Sequence, residues 1–351
     1  MQKDKIDISL WYIVGIKKRF MIGVAVFALA VVIIMGSILT FVRAQTRVAG
    51  TAAEPLLFSI TSGQNVFTIA DALYARGEIS SPAIFVVYAY VMGLAHHFQA
   101  GTYQLDRALS VESLAHLFVQ GPPEISILIP PGATVKEIDG LLSRNGILSA
   151  GALAEINPTD LRDEFPFLAQ AKTLEGFLMP NTYAFYLHEN PRLVAETMVR
   201  DFANQTKDLF AGASGDRIFR WVVVASLLEK EVITDHDKAM VAGIINNRLA
   251  DAMPLQIDAA VSYGACGGVF AGCPIISAAD IAHDTPYNTY RYRGLPPAPI
   301  SNPTLSSLRA AVHPIANSYR FYLSDPKTDA TIFSVTLAEH ARNRKKYLGV
   351  Y

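Results

Sequence analysis

The sequence predicts an α+β fold in three parts: a single N-terminal transmembrane helix, a small α+β module, and a larger, mostly helical domain with a small β-rich portion. Three observations carry this expectation. Phe20 to Val42 contains no charged residue. Between Phe58 and Ile129, short β-branched runs alternate with apolar residues at helical spacing. From Pro191 to Leu249 the pattern is mostly helical, and after Gln256 the chain becomes rich in Gly, Pro, Asn and Tyr. The corresponding division is a cytoplasmic tail over 1–19, a membrane helix over 20–42, a linker over 43–55, the small module over 56–129 and the larger domain over 130–351.

The first segment is read from length and charge. A helix from Phe20 to Val42 reaches roughly 34 Å at about 1.5 Å per residue, enough to cross a bilayer core. Lys17, Lys18 and Arg19 abut its start and Lys3 and Lys5 add to that side, while Arg43 and Arg47 lie beyond its end. The positive-inside rule then predicts a cytoplasmic N-terminus and an extracytoplasmic remainder. A cleaved signal peptide is the alternative. The long apolar core and the lack of a small-x-small site before Arg43 argue against it. The composition agrees with membrane contact, being 51% hydrophobic and 17% charged. A net charge of -1 supplies no global basic field for nucleic acid.

In the small module, Phe58-Ser59-Ile60 reads as a strand. Val66, Ile69, Ala70 and Leu73 recur at helical spacing, and Gly77 ends that helix. Pro82 to about Leu94 is a second apolar helix, Gly101 to Leu105 a strand, Ser110 to Phe118 an amphipathic helix capped by Ser110, and Ile125 to Ile129 a closing strand. Pro130-Pro131-Gly132 marks the boundary. Beyond it, Thr134 to Asn145 is helical, and Leu174 to Tyr186 is aromatic-rich with Pro180 inside it. Thr234 and Asp235 open a helix that Pro254 cannot let continue, and a last helix lies near Leu337 to Tyr347.

The residue most in need of a chemical explanation is Glu231, at the end of Trp221-Val222-Val223-Val224-Ala225-Ser226-Leu227-Leu228-Glu229-Lys230-Glu231, behind a Ser214/Asp216 helix start. On a helix it follows Leu228 by three residues, Leu227 by four and Val224 by seven, so it shares their face. Glu229 lies about 200° round the same helix and faces elsewhere. Burial beside leucines disfavours the carboxylate and leaves an acid able to donate a proton near neutrality. The alternative is a glutamate at a helix C-terminus paired with a basic neighbour. No metal or cofactor motif accompanies it: the histidines are scattered without H-E-x-x-H, and neither G-x-x-x-x-G-K nor G-x-S-x-G occurs.

An acid with aromatic and amide side chains suits a carbohydrate cleft. If Leu255 to Asp258 is extended, Gln256 and Asp258 share one face and can bind sugar hydroxyls or an acetamido group. The alternative there is a turn-stabilising Asx motif. Thr285-Pro286-Tyr287-Asn288-Thr289-Tyr290 with Gly294-Leu295-Pro296-Pro297 reads as a rigid loop whose tyrosines offer flat faces for pyranose stacking, or as a structural lid. Asn302 and His340 are polar enough to line a site, though each alone is more often structural. Cys266 and Cys273 flank a Gly-rich stretch. A disulfide is chemically permitted there in an exported domain, two free thiols are equally allowed, and the spacing disfavours zinc.

These residues resemble a known family. Ala225 to Glu231, Met253 to Asp258, Pro286 to Tyr290 and Gly294 to Pro297 are similar to motifs of the endolytic murein transglycosylases (YceG-like), as are Leu174 to Tyr183, Phe333 to His340 and Ala100 to Tyr103. The chain departs from the family pattern at Pro131, at Ala259-Ala260, at Ala298, near Thr331 and in the Cys266–Cys273 loop. The resemblance implies that the first module is LysM-like and that Glu231 is the catalytic acid and base. It implies non-hydrolytic cleavage of the β-1,4 bond between N-acetylmuramic acid and N-acetylglucosamine, giving a 1,6-anhydro end, with no cofactor. Gln256, Asp258, Tyr287, Asn288 and Tyr290 are expected to line the cleft, and Glu175 to be a structural or oxocarbenium-stabilising carboxylate counted with them. The expected setting is the bacterial inner membrane, acting on nascent peptidoglycan strands beside the wall-synthesis and division machinery and limiting strand length. Two alternatives remain open: a muramidase that pairs Glu231 with Glu175 or Asp258, and a tethered glycan-binding protein without turnover.

Overall fold

The computed structural model describes residues 21–33, 36, 56–105 and 109–349. Residues 21–33 are helical (α1). The rest of the expected span from Phe20 to Val42, Gly36 excepted, lies outside the described residues. Among the described residues no helix is long and apolar enough to cross a membrane. The remainder forms two compact units that divide between Pro123 and Glu124.

The first unit is built on a two-stranded antiparallel sheet. β1 (Leu56–Ile60) pairs with β2 (Gly101–Leu105), with Phe58 opposite Tyr103. Between them run α2 (Val66–Ala75) and α3 (Pro82–Val91), and α4 (Val111–Gln120) follows β2. The starts at Pro82 and Ser110 match those read from the sequence, and Asn65 is a cap the sequence reading did not name. The Asn65 side chain accepts from Thr68 N–H, Pro82 starts α3, and the Ser110 side chain accepts from Ser113 N–H. Phe58, Tyr103 and Phe85 converge on Phe118, with ring centroids 5.7, 4.9 and 6.3 Å from it. That aromatic cluster is this unit's core.

The strand read as the end of the first module belongs to the second unit. β3 (Glu124–Leu128) pairs antiparallel with β4 (Thr182–Tyr186), so its hydrogen-bond partner lies far downstream. The second unit is mostly helical: α5 (Val135–Arg144), α6 (Pro191–Thr206), α7 (Gly215–Glu231), α8 (Asp235–Ala250), α9 (Asp258–Ala265), α10 (Ala278–Ala282), α11 (Leu305–Val312) and α12 (Leu337–Asn343). A second small sheet, β5 (Phe321–Ser324) with β6 (Thr331–Ser334), precedes α12. The final helix is shorter than expected because Arg344–Leu348 continues as a π-turn ended by Gly349 in the left-handed region.

The central member is α7. From Val222 to Leu228 every residue is buried, so this helix is surrounded rather than amphipathic. One polar residue in that run, Ser226, is fully satisfied: its hydroxyl donates to Val223 O at 2.7 Å and accepts from Ile300 N–H at 3.0 Å. The 300–302 segment is thereby held against the helix. Close approach also requires two glycines. A side chain at Gly176 (φ +90°) meets Pro299 and Val222 at 2.7 Å, and one at Gly243 runs into the Ile315 carbonyl.

Candidate active site

The end of α7 carries two glutamates that the fold sends in different directions, as the helical angle requires. Glu229 is structural. Its Oε2 accepts from the Ser307 hydroxyl at 2.6 Å, the Thr304 hydroxyl at 2.7 Å and Thr304 N–H at 2.9 Å, and Lys238 Nζ stands at 3.5 Å. Burial opposes its ionisation, but those donors and the lysine outweigh it and hold the carboxyl below its ordinary range. This carboxylate pins α11 and α8 to α7.

Glu231 instead borders a cleft of about 620 Å³. It is half-buried, with part of its surface open to that space and protein atoms on its other sides. It forms no ion pair among the described residues; its Oε2 accepts from the Tyr322 hydroxyl at 2.7 Å. Loss of solvation raises its pKa above the usual carboxylate value, and the nearby Asp258 charge adds to this. The Tyr322 and Ala259 N–H bonds and the Arg248 charge pull the other way without cancelling it. Glu231 is thus a carboxyl group of raised pKa beside a cavity.

Three segments converge on that cleft. Arg248 holds two of them: its Nε donates to Arg320 O at 2.6 Å and its Nη1 to Leu255 O at 2.6 Å. It therefore ties the start of β5, which carries Tyr322, to the 254–258 segment. Those side-chain bonds satisfy a buried cation, and its charge is felt at Glu231. Residues 285–297 form the third segment. Pro254 bridges to Arg293, Gln256 N–H donates to Thr289 O at 3.0 Å, and Ile257 N–H donates to Thr289 Oγ1 at 2.9 Å. This brings the Tyr290 hydroxyl to Asp258 Oδ1 at 2.5 Å.

Of the residues expected to line a cleft, Glu231, Gln256, Asp258 and Tyr290 border this one. They arrive by a different geometry from the extended strand imagined for 255–258. Gln256 has φ +52°, and Asp258 is the first residue of α9. A non-glycine residue in the left-handed region costs about 1 kcal/mol, here offset by the bonds to Thr289.

The other three expected residues do not border this cleft. Asn288 is fully buried. Its Nδ2 donates to Ile281 O at 2.8 Å and His283 O at 2.7 Å, and its Oδ1 accepts from Tyr290 N–H at 3.1 Å and Arg291 N–H at 3.2 Å. With every valence used it orders the loop that presents Tyr290 and cannot reach a substrate. Tyr287 packs against Tyr263, with centroids 4.9 Å apart, and against the core.

Glu175 is only 3% exposed and does not border the cleft. Val135 N–H donates to both its oxygens at 3.2 Å, Tyr263 to Oε2 at 3.1 Å and Asn302 Nδ2 to Oε1 at 3.1 Å. Burial lifts its pKa to about 8 against the Val135 and Tyr263 bonds, which act to lower it. These bonds make it the centre of a buried polar hub. Asn302 completes this hub, accepting from Gly176 and Leu178 N–H at 2.9 Å each.

Tyr322, Arg248 and Lys230 were not picked out by motif reasoning, although all border the cleft. Arg248 left a signal: it follows Ile244 by four residues and Ile245 by three, a cation on a buried face. Tyr322 left none. His340 also borders the cleft, stacked on Phe321 with centroids 5.3 Å apart. Cys266 and Cys273 are joined in a disulfide. Among the described residues, no group of three or more His, Cys, Asp or Glu is placed to hold a metal ion.

Comparison with known proteins agrees over most of the chain. A Bacillus subtilis protein named endolytic murein transglycosylase is 29% identical over 311 residues, covering 83% of this chain and 84% of its own. A Streptococcus pneumoniae protein of the same name is 26% identical over 317 residues, covering 81% of this chain but 57% of its own length. The crystal structure of a putative yceG-like protein from Listeria monocytogenes superposes with a TM-score of 0.54 at 25% identity, covering 83% of this chain and all of that one. The YceG-like family matches residues 58–346. The chain belongs to the YceG-like family.

Proposed function

We propose that this protein is a lytic transglycosylase that cuts peptidoglycan glycan strands internally at the MurNAc-β-1,4-GlcNAc bond and leaves 1,6-anhydroMurNAc ends. The observation that carries the reading is Glu231, an acid of raised pKa bordering a cleft and held by Tyr322. The Tyr322 bond is made to Oε2 of this carboxyl. Protonated Glu231 gives its proton to the glycosidic oxygen as the C1–O bond breaks, and the GlcNAc side departs as an alcohol. The resulting carboxylate, favoured by the Tyr322 hydroxyl and the Arg248 charge, takes the proton of the muramyl C6 hydroxyl as that oxygen bonds to C1. Glu231 returns to its starting state and no water is consumed. Gln256 and Tyr290 offer an amide and a ring to the sugars.

Asp258 supports a second reading. It shares the cleft with Glu231 and is close enough to raise its pKa, so the two carboxyls are also compatible with a two-carboxylate muramidase. Products separate the readings. Mass spectrometry of released sugars is expected to show anhydro ends; reducing ends carrying oxygen from labelled water would transfer the case to hydrolysis. Glu231→Gln is expected to lower turnover by about 10³-fold while leaving the fold intact. Equal turnover in that variant would remove Glu231 from the chemistry, whereas glycan binding by the wild type with no product released would leave the glycan-binding alternative.

The setting belongs to the same proposal. Phe20 to Val42 anchors the chain in the inner membrane with its N-terminus in the cytoplasm. The first unit, with its strand-helix-helix-strand order, is LysM-like. An enzyme held there meets nascent strands near their membrane-proximal ends, limits their length and works beside the synthesis and division machinery.

A further inference from the structure

A second cavity of about 580 Å³ lies beside the candidate active site and shares one wall residue with it, Lys230. Its floor is one face of α5, where Lys136, Gly140 and Arg144 recur every four residues. Glycine inside a helix costs about 1 kcal/mol relative to alanine, and here it leaves the space between two cations open. A side chain at Gly140 meets Arg144 Nη1 at 3.3 Å. The opposite wall is Val269, Phe270 and Ala271, inside the loop closed by the Cys266–Cys273 disulfide.

That loop is tied to α5. Glu137 Oε1 accepts from Phe270 N–H at 2.7 Å and Ala271 N–H at 2.8 Å, and its Oε2 accepts from Thr134 N–H at 3.0 Å. Lys136 Nζ donates to Gly267 O at 2.7 Å, and Lys230 Nζ sits 3.9 Å from the Phe270 ring centroid. The charges do not balance. Lys136, Arg144 and Lys230 border the cavity, and its one carboxylate, Glu137, is engaged by three backbone N–H groups. Arg144 has no ion pair among the described residues.

We infer that this cavity is a subsite for the acidic peptide stem of murein, with the disulfide-closed loop as the wall that selects among stems. The inference rests on the proposed glycan-cleaving function. Murein carries a short peptide on the lactyl group of each muramyl residue, and that peptide bears free carboxylates. A strand bound across Glu231 directs such a stem to one side of the cleft, and on the Lys230 side it meets exposed cations at a volume suited to a short peptide. Sugar rings carry no charge and have no use for that surplus.

The test compares stem-bearing nascent strands with the same strands stripped of peptides by an amidase and with the lactyl carboxylates so exposed capped as amides, using the full-length protein and the double variant Lys136→Gln, Arg144→Gln. Both side chains are exposed on α5, so the variant is expected to fold. On stem-bearing strands its kcat/KM is expected to fall roughly tenfold, mainly through KM, and to stay within about twofold on stripped glycan. Raising the salt is expected to narrow the wild-type preference for stem-bearing strands. Equal change on both substrates, or on neither, overturns the subsite while leaving the glycan-cleaving function intact. If the wild type cleaves neither substrate, the functional reading itself fails and the subsite with it.

Discussion

The end of α7 and the Glu175 hub each bury a carboxyl group in the second unit, and both acids have raised pKa values for the same first reason, loss of solvent. Their surroundings differ in one respect. Glu231 borders a cavity and has one protein hydroxyl donor, Tyr322, whereas Glu175 is 3% exposed and sealed among Val135, Tyr263 and Asn302. A perturbed carboxyl is therefore a functional candidate only where a reacting atom can reach it. Glu229 completes the comparison. Two residues from Glu231, it is held ionised by hydroxyl donors and a buried lysine.

The largest expected difference is between Glu231→Gln and Glu175→Gln. The first abolishes most turnover with little change in unfolding midpoint, and the second leaves the chemistry in place. Comparable losses of turnover from both, with both variants folded, would break the distinction. Next in size is Glu229→Ala, which strands the buried Lys238 and the Thr304 and Ser307 hydroxyls. Denaturant titration is expected to show a loss of about 3–5 kcal/mol. A loss below 1 kcal/mol would mean the anchor is dispensable.

The pH dependence of stability sharpens the same contrast. Glu175 has a folded pKa of about 8 against an ordinary 4.5, so its contribution is full below about 4.5 and is lost as pH rises towards 8. Glu229 is shifted downward, so its contribution is present above the ordinary carboxylate pKa and is lost on acidification. Glu175→Gln is expected to flatten the decline between pH 4.5 and 8 and leave the acid limb unchanged. An unaltered decline would assign it to another group.

The smallest effect concerns Tyr322. Because its hydroxyl bond favours the carboxylate of Glu231, Tyr322→Phe raises that pKa further. The alkaline limb of the turnover profile is then expected to move to higher pH, with kcat lower by about tenfold. A lowered kcat with an unmoved limb would reduce Tyr322 to packing.

Much of this was legible in order along the chain because local chemistry specifies it. Ser110, Thr134, Ser214 and Thr234 cap the helices they were read to start, each accepting from an N–H three residues on. The divergence of Glu229 and Glu231 followed from the helical angle alone. Other features depend on distant partners. Glu175 is bonded by residues 40, 88 and 127 positions away, so its identity as a hub left no local pattern. Gln256 was misread as extended because the bonds that hold it in the left-handed region come from Thr289, on another segment.

Helix positions, the membrane-length apolar segment and the acid at the end of a buried helix are properties of short-range spacing, and the sequence alone determined them. Which acid faces a cavity was decided only by tertiary structure, as were the Tyr322 donor, the closing of the cleft by Arg248 and the placing of β3 in the second unit. Helix angle and capping act over a few residues. Solvent access and hydrogen-bond partners are set by segments that meet only once the chain has folded.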